Sequence, residues 1–408
     1  MIFKKFIKKN IIKVFIFISL CVIFFHNYKS SNINSVINYK KFENSDLSLK
    51  NDTIHLCENK KKYIRFECKR PYCGGWADRL RGLMSAYVWA IFTKREFLID
   101  IDYPCSLSLM LEPNIVKWNK TIKCHDYFDN TVINQKDPFT SVRLEKVSNK
   151  NFYLLLRDIN VFEYYKEANL ITIQNNLDWI YAFSFNKHFN QSIYEFGYKP
   201  SNFRLYYFFR KFYNDLFKLT PNLEETYNKF VKQAKPDNET MLICAQIRIG
   251  GARPNVAFDS EFMPRNNSKL FWNFIRETFL NKNPKKKFKL FITTDTESVE
   301  TESIDEFGES NIVKIEGPFI HIDREEVGNV NNCSKIEKVI LDFHALQLCD
   351  AVIISQSGYG RLGISNRIDP TKDLYRFESL IEKKKTKTGK TEIVEKFFFN
   401  KIHNLTML

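Results

Sequence analysis

The chain has 408 residues and a formal charge of +15, with 44% hydrophobic, 27% charged and 15% aromatic residues. That balance excludes a disordered, collagen-like or disulfide-miniature protein and leaves room for two or three domains of roughly 100–200 residues each. The charge sits at the ends: residues 1–62 carry +8, residues 383–408 carry +5, and the 320 residues between them only +2. A phosphate-backbone footprint belongs on one face of the folded part, so no nucleic-acid partner is expected.

At the N-terminus, residues 1–10 hold Lys4, Lys5, Lys8 and Lys9 and read as a short cytosolic tail. The apolar run 11–25 follows, interrupted only by Lys13 and free of charge from Val14 to Phe25. Basic residues ahead of a short apolar core mark an export signal. No small-x-small site follows Phe25, so an uncleaved signal anchor is favoured over a cleaved peptide. The positive-inside rule then makes the chain a single-pass type II protein of the Golgi or ER membrane, lumenal beyond residue 26. Outside this run lie eight cysteines, Cys57, Cys68, Cys73, Cys105, Cys124, Cys244, Cys333 and Cys349. An oxidising compartment permits disulfides among them, with the connectivity open. Seven Asn-x-Ser/Thr sequons are compatible with a lumenal glycoprotein.

Residues 26–61 are polar and rich in Asn, Ser and Lys, which reads as a flexible stem. Folding is expected from residue 62. Leu80, Leu83, Met84, Tyr87, Val88 and Ile91 recur at helical spacing, and Glu96–Ile101 reads as a strand. Aromatic-rich helices are expected over 203–219 and 223–234, and Pro236-Asp-Asn-Glu239 marks a break. Beyond it the pattern alternates. Strands are expected at Met241–Ile247, Phe288–Thr293, Ile312–Ile315 and Ala351–Ser355, with helices at 268–281, 297–307, 336–349 and from Gly360. Such alternation predicts an α/β protein with two doubly wound, Rossmann-like domains facing a cleft, over 62–235 and 236–382. The basic tail 383–408 reads as a solvated, mobile end.

Ligands of doubly wound sheets bind beyond the carboxyl ends of the strands. Three loops fit that position: Arg248-Ile-Gly-Gly-Ala-Arg-Pro254, Thr293-Thr-Asp-Thr-Glu297 and Ser355-Gln-Ser-Gly-Tyr-Gly-Arg361. Their small residues let the backbone approach a ligand, and N–H groups at a helix start attract phosphate. With Arg248 and Arg361 as partners for its oxygens, they describe an anion pocket for a nucleoside diphosphate. Asp295 reads equally as a helix N-cap, and Asp342 with His344 as a polar stripe. In the first domain, Gly74, Gly75 and Asp78 open a helix that faces the cleft. There Asp78 is either a catalytic carboxylate or an acid complementing the helix dipole. Asp100-Ile-Asp102 resembles a metal-binding Asp-x-Asp, but one short match is a weak signal and no metal is expected.

The segment PYCGGWADRLRGLMSAYVWAIFTKREFLIDID is similar to the N-terminal Gly-x-Gly-Asn/Asp-Arg-Leu helix of GDP-fucose-dependent fucosyltransferases. CAQIRIGG resembles their His-x-Arg segment, and FITTDTESV and DFHALQLCDAVIISQSGYGRLGISNRID resemble later nucleotide-binding segments. Gln246 stands where many members have His, and Gly251 where several have Asp. The resemblance implies a GT-B fold of two Rossmann-like domains and an inverting, metal-independent transfer of fucose from GDP-fucose. It places the pyrophosphate at Arg248 and the nucleotide near Asp295, Asp342, Ser355, Ser357, Gly358 and Tyr359. The loops and the helix start themselves add Gly74, Gly75, Gly250 and Arg361 to the expected nucleotide site, and the position of Asp78 opposite the phosphate loops makes it the expected base. The acceptor would be a glycan or glycoprotein. Alternatives are a catalytically inactive lumenal carbohydrate-binding protein of this fold, or an enzyme using another nucleotide sugar.

Overall fold

The computed structural model describes residues 53–55, 61–68, 73–123, 141–144, 150–251, 261–322, 333–385 and 391–405. The expected anchor at 11–25 lies outside them, as do Cys57 and Cys124. Among the described residues no helix is long and apolar enough to cross a membrane. Everything from Asn51 onward forms one compact unit.

The N-terminal half is built on strands β1 (Tyr63–Cys68), β2 (Glu96–Ile101), β3 (Ser141–Leu144) and β4 (Leu170–Ile173). They form a parallel sheet in the order β2-β1-β4-β3. Between β1 and β2 runs helix α1 (Trp76–Phe92), whose Leu80, Leu83 and Met84 are fully buried. Burying each such side chain is worth roughly 1.5–3 kcal/mol, which fixes one face of α1 on the sheet. Helix α2 (Lys150–Asp158) precedes β4, and α3 (Ile180–Phe183), α4 (Leu205–Leu216) and α5 (Pro221–Ala234) follow it.

The C-terminal half contains strands β5 (Met241–Ile247), β6 (Phe288–Thr294), β7 (Ile312–Val313), β8 (Ala351–Ile354), β9 (Leu374–Lys385) and β10 (Thr391–Lys401) in the order β7-β6-β5-β8-β9-β10. Its helices are α6 (Ser268–Ile275), α7 (Glu297–Phe307), α8 (Cys333–Ala345) and α9 (Gly358–Ser365). Side chains of β5 alternate between two apolar clusters: Leu242 and Cys244 face one, Ile243, Ala245 and Ile247 the other. A strand buried on both faces accounts for the unbroken apolar run in its sequence. The first of these clusters extends through the N-terminal half. Phe343 of α8 meets Trp76 of α1 at 6.4 Å and Tyr213 of α4 at 5.5 Å, so the two halves share a core.

Three boundaries differ from the sequence reading. Thr53–His55, assigned to the stem, pairs in parallel with Thr121–Lys123. Helix α5, assigned to the first domain, lies on the second sheet, with Phe230 against Phe291 at 5.0 Å and the Tyr227 hydroxyl donating to the His344 carbonyl at 3.3 Å. The basic tail is an edge strand. β10 pairs antiparallel with β9 from Tyr375↔Lys401 to Lys385↔Thr391. Phe397 stacks on Phe377 at 5.5 Å and Phe399 on Phe274 at 4.3 Å, while the intervening Phe398 is exposed. Alternating aromatic burial holds the segment in place despite its charge.

Three disulfides are present among the described residues: Cys68–Cys73, Cys105–Cys333 and Cys244–Cys349. Cys68–Cys73 closes the approach to α1. Cys105–Cys333 joins the loop after β2 to the start of α8, a covalent link between the halves.

Candidate functional site

A cavity of about 400 Å³ lies between the halves. On the C-terminal side its wall is the set of loops that follow β5, β6 and β8. Arg248 leaves β5 with its backbone N–H donating to the Ser355 hydroxyl at 2.9 Å. The next two backbone N–H groups, of Ile249 and Gly250, each donate to a different Asp295 oxygen at 2.9 Å. Asp295 also meets the Arg248 guanidinium at 3.1 Å. One carboxylate therefore fixes both the loop and the orientation of its arginine, whose guanidinium lies 5.3 Å from the Phe262 ring centre. Gly250 and Gly251 have φ of +72° and +77°, which favours glycine at both positions.

Helix α9 begins at the cavity with Ser357 as its N-cap residue, whose hydroxyl makes no capping hydrogen bond. An N-terminus in that condition carries partial positive charge and N–H donors suited to an anion. Across from it, α1 also starts at the cavity, but Asp78 accepts the Gly75 N–H at 3.3 Å and so complements that terminus. Arg81 donates to the other Asp78 oxygen at 2.5 Å. A Cβ added to Gly358 would fall 2.7 Å from Arg81 Nη2, so this guanidinium lies directly over the start of α9. Arg248, Arg81 and the open α9 terminus thus put positive charge around one space.

Deeper in, Lys338 and Asp342 form a buried pair at 3.2 Å on α8, and the Thr293 hydroxyl donates to Asp342 at 3.2 Å. Burial raises the Asp342 carboxyl to about 6, against the pull of the Lys338 charge. Lys338 also donates to the Ile315 carbonyl at 2.8 Å and lies 5.3 Å from the Phe319 ring centre. Removing either partner would strand a buried charge. Tyr359 donates to the Val339 carbonyl at 2.7 Å, and burial pushes its phenol well up, so it stays neutral.

Of the residues the sequence singles out, Gly75, Asp78, Arg248, Asp295, Asp342, Ser357, Gly358 and Tyr359 line this cavity. The other four do not. Ser355 is buried, accepting from Arg248 N–H and donating to the Gln246 amide oxygen at 3.2 Å, so its hydroxyl supports the wall from behind. Gly250 spends its N–H on Asp295. Gly74 sits one residue outside, its carbonyl accepting from Arg79 Nε at 3.0 Å. Arg361, one turn into α9, lies outside the cavity lining, and its charge acts on the Tyr206 phenol. Asp295 is not an N-cap either, since Thr296 holds that position on α7.

Sequence reasoning noted Gln246 without assigning it to the site and did not assign Arg81, Phe262, Phe319, His321 or Lys338 either, yet all six line the cavity. Two had a readable signal: Arg81 follows Asp78 by one helical turn, and Lys338 precedes Asp342 by one. His321 and Phe319 sit on an irregular loop with no pattern to find. Asp100 and Asp102 line a separate pocket of about 210 Å³ beside β2, where Asp100 faces Arg65 at 3.9 Å. Among the described residues no group of three or more His, Cys, Asp or Glu could hold a metal ion.

Among solved structures, the chain is similar to a point variant of Arabidopsis thaliana FUT1 in complex with GDP. The TM-score is 0.54 at 12% identity, covering 80% of this chain and 72% of that one. The two proteins share a fold. Fucosyltransferase NodZ from Bradyrhizobium is similar at a TM-score of 0.42 and 14% identity, covering 78% of this chain and 96% of that one. That second overlap is too loose to build on. Neither a family profile nor a curated protein matches the sequence.

Proposed function

We propose that the cavity binds a nucleotide sugar and that the protein is an inverting glycosyltransferase, moving fucose from GDP-fucose to a glycan or glycoprotein. The convergence of Arg248, Arg81 and the open N-terminus of α9 between two GT-B halves carries this reading. A departing diphosphate gains negative charge as the sugar–oxygen bond breaks, and fixed cations and N–H dipoles stabilise that charge without a metal. The FUT1 variant of the same fold was solved with GDP bound, which supports a guanine nucleotide here.

In the reaction the acceptor hydroxyl oxygen bonds to fucose C1 as the bond from C1 to the β-phosphate oxygen breaks, and GDP leaves with the electron pair. The acceptor proton goes to a carboxylate, for which we propose Asp78. Its oxygens hold Gly75 N–H and Arg81, and each keeps a further lone pair. The anchor reading of residues 11–25 and the sequons favour a Golgi or ER membrane protein with this region in the lumen.

A thermal-shift panel of GDP, UDP, CDP and ADP tests the donor class. GDP is expected to stabilise the protein most; equal shifts from all four, or none, would overturn the reading. Incubation with radiolabelled GDP-fucose and a glycan mixture then tests transfer, and binding without turnover would favour the carbohydrate-binding alternative.

A further inference from the structure

The Asn-x-Ser/Thr sequons take no part in the proposed chemistry, and the fold tells them apart. Asn51 and Asn332 lie outside the described residues. A bulky, hydrophilic glycan is compatible with a fold only where the asparagine amide stands clear of the surface and holds nothing together. Asn119 lines the pocket beside β2. Asn190 is half-buried at the start of a short helix, Asn190–Glu195. The Asn404 amide oxygen accepts from the Tyr207 hydroxyl at 3.0 Å. Asn266 is exposed but follows closely on Phe262 of the cavity wall. Asn238 meets both conditions and is remote from the cavity.

Asn238 sits in the turn from α5 to β5, where residues 236–239 are all exposed. Its neighbour Asp237 holds that turn. One Asp237 oxygen accepts the Glu239 N–H at 3.1 Å, the Thr240 N–H at 2.8 Å and the Thr240 hydroxyl at 2.7 Å. The other meets Lys287, just ahead of β6, at 3.0 Å. With the turn built on Asp237, a sugar on the Asn238 nitrogen breaks none of these bonds. From here β5 runs toward the cavity. Its seven residues, at about 3.3 Å each, keep Asn238 roughly 20 Å or more from Arg248. Asn238 therefore stands at the amino ends of the strands, opposite the rim that bears the chemistry.

We propose that Asn238, in the sequon Asn238-Glu-Thr240, carries an N-linked glycan. In the modification Asn238 Nδ2 bonds to C1 of the first sugar of a lipid-diphosphate-linked oligosaccharide. The bond from C1 to the phosphate oxygen breaks, and the lipid diphosphate leaves with the electron pair. One amide proton passes to a base of the modifying enzyme. The site rests on the lumenal reading of the chain, where such an oligosaccharide is transferred, and its test is arranged so that the two fail separately.

The full chain, with its own N-terminus, is produced in insect cells and its microsomes are divided. One part is treated with protease while the membranes are intact. Protein from the other part is cut to peptides and treated with a glycan-releasing amidase in heavy-oxygen water, which turns each glycosylated Asn into labelled Asp. Label at Asn238 is expected in most copies of a chain that the membrane protects from protease. Asn238→Gln should lose one glycan's mobility shift. Thr240→Ser, which keeps the sequon and a hydroxyl for Asp237, should retain it. An unlabelled Asn238 in a protected chain overturns the site and leaves the lumenal reading standing. An unlabelled Asn238 in a chain that protease digests removes the lumenal reading and the site with it.

Discussion

The two halves of the molecule present their chemistry in different ways. The C-terminal half offers short loops after β5, β6 and β8, rich in Gly, Ser and Asp, which bring Arg248 and the start of α9 to the cavity while Asp295 holds the Ile249 and Gly250 amides. The N-terminal half offers side chains, Asp78 and Arg81 on α1, hung on a helix whose buried face looks like that of any packed helix. A loop that must bring its backbone to a ligand needs small residues at fixed places, and that requirement is visible in sequence. A wall made of side chains imposes none. Under the proposed function the difference also divides the work, with the C-terminal half holding the nucleotide and Asp78 of the N-terminal half meeting the acceptor hydroxyl.

Substitutions can break that division. The largest effect is expected at Lys338→Met, which strands the buried Asp342 carboxylate and should lower unfolding stability by about 3–5 kcal/mol in a denaturant titration. A stability unchanged by this variant would mean that the pair contributes nothing to the cavity floor. Asp78→Asn keeps the shape of the side chain and should cut transfer by about 10²–10⁴-fold with GDP affinity little altered. If turnover survives intact, Asp78 is only a helix-start acid, and the N-terminal half contributes no base through it.

A smaller effect is expected from pH. Burial holds the His344 imidazole down at about 4, below its ordinary value near 6.5. Its folded form is neutral, so the stability it contributes is present above about pH 6.5 and is lost as pH falls toward 4. Asp178 and Asp342, raised to about 6, act oppositely and favour the folded state as pH falls through that range. Both carboxyls are common to wild type and His344→Gln, so comparing the two isolates the histidine. Between pH 7 and 5 the wild type should lose roughly 2 kcal/mol more stability than the variant. Parallel pH profiles would show that His344 is not held neutral. The smallest effect is expected at Arg361→Gln, which should leave GDP affinity within about threefold because its side chain lies outside the cavity lining. A large loss there would return Arg361 to the anion site.

Much of the C-terminal half was legible because its strands are buried on both faces and its helices alternate with them. The β10 strand was not: seven lysines in residues 383–408 outweighed the signal of Phe397 and Phe399, which point to one side while Phe398 points to the other. Ser355 and Ser357 show a related limit. Both lie in a small-residue loop, yet Ser355 supports the wall and Ser357 lines it, and sequence alone does not set which way each residue of such a loop faces. On α9, Arg361 lies one turn past the helix start, and only the packing of the fold leaves it outside the cavity lining.

Calorimetric titration of the full chain with GDP, in the wild type and in Arg248→Ala, tests the diphosphate cavity most directly. Arg248 is expected to contribute charge-assisted bonds to the diphosphate, while Asp295 still clamps the loop through Ile249 and Gly250. The wild type should bind GDP and the variant should bind it roughly a hundredfold more weakly with its fold intact. Equal affinity in the two proteins, or no GDP binding by the wild type, would contradict it.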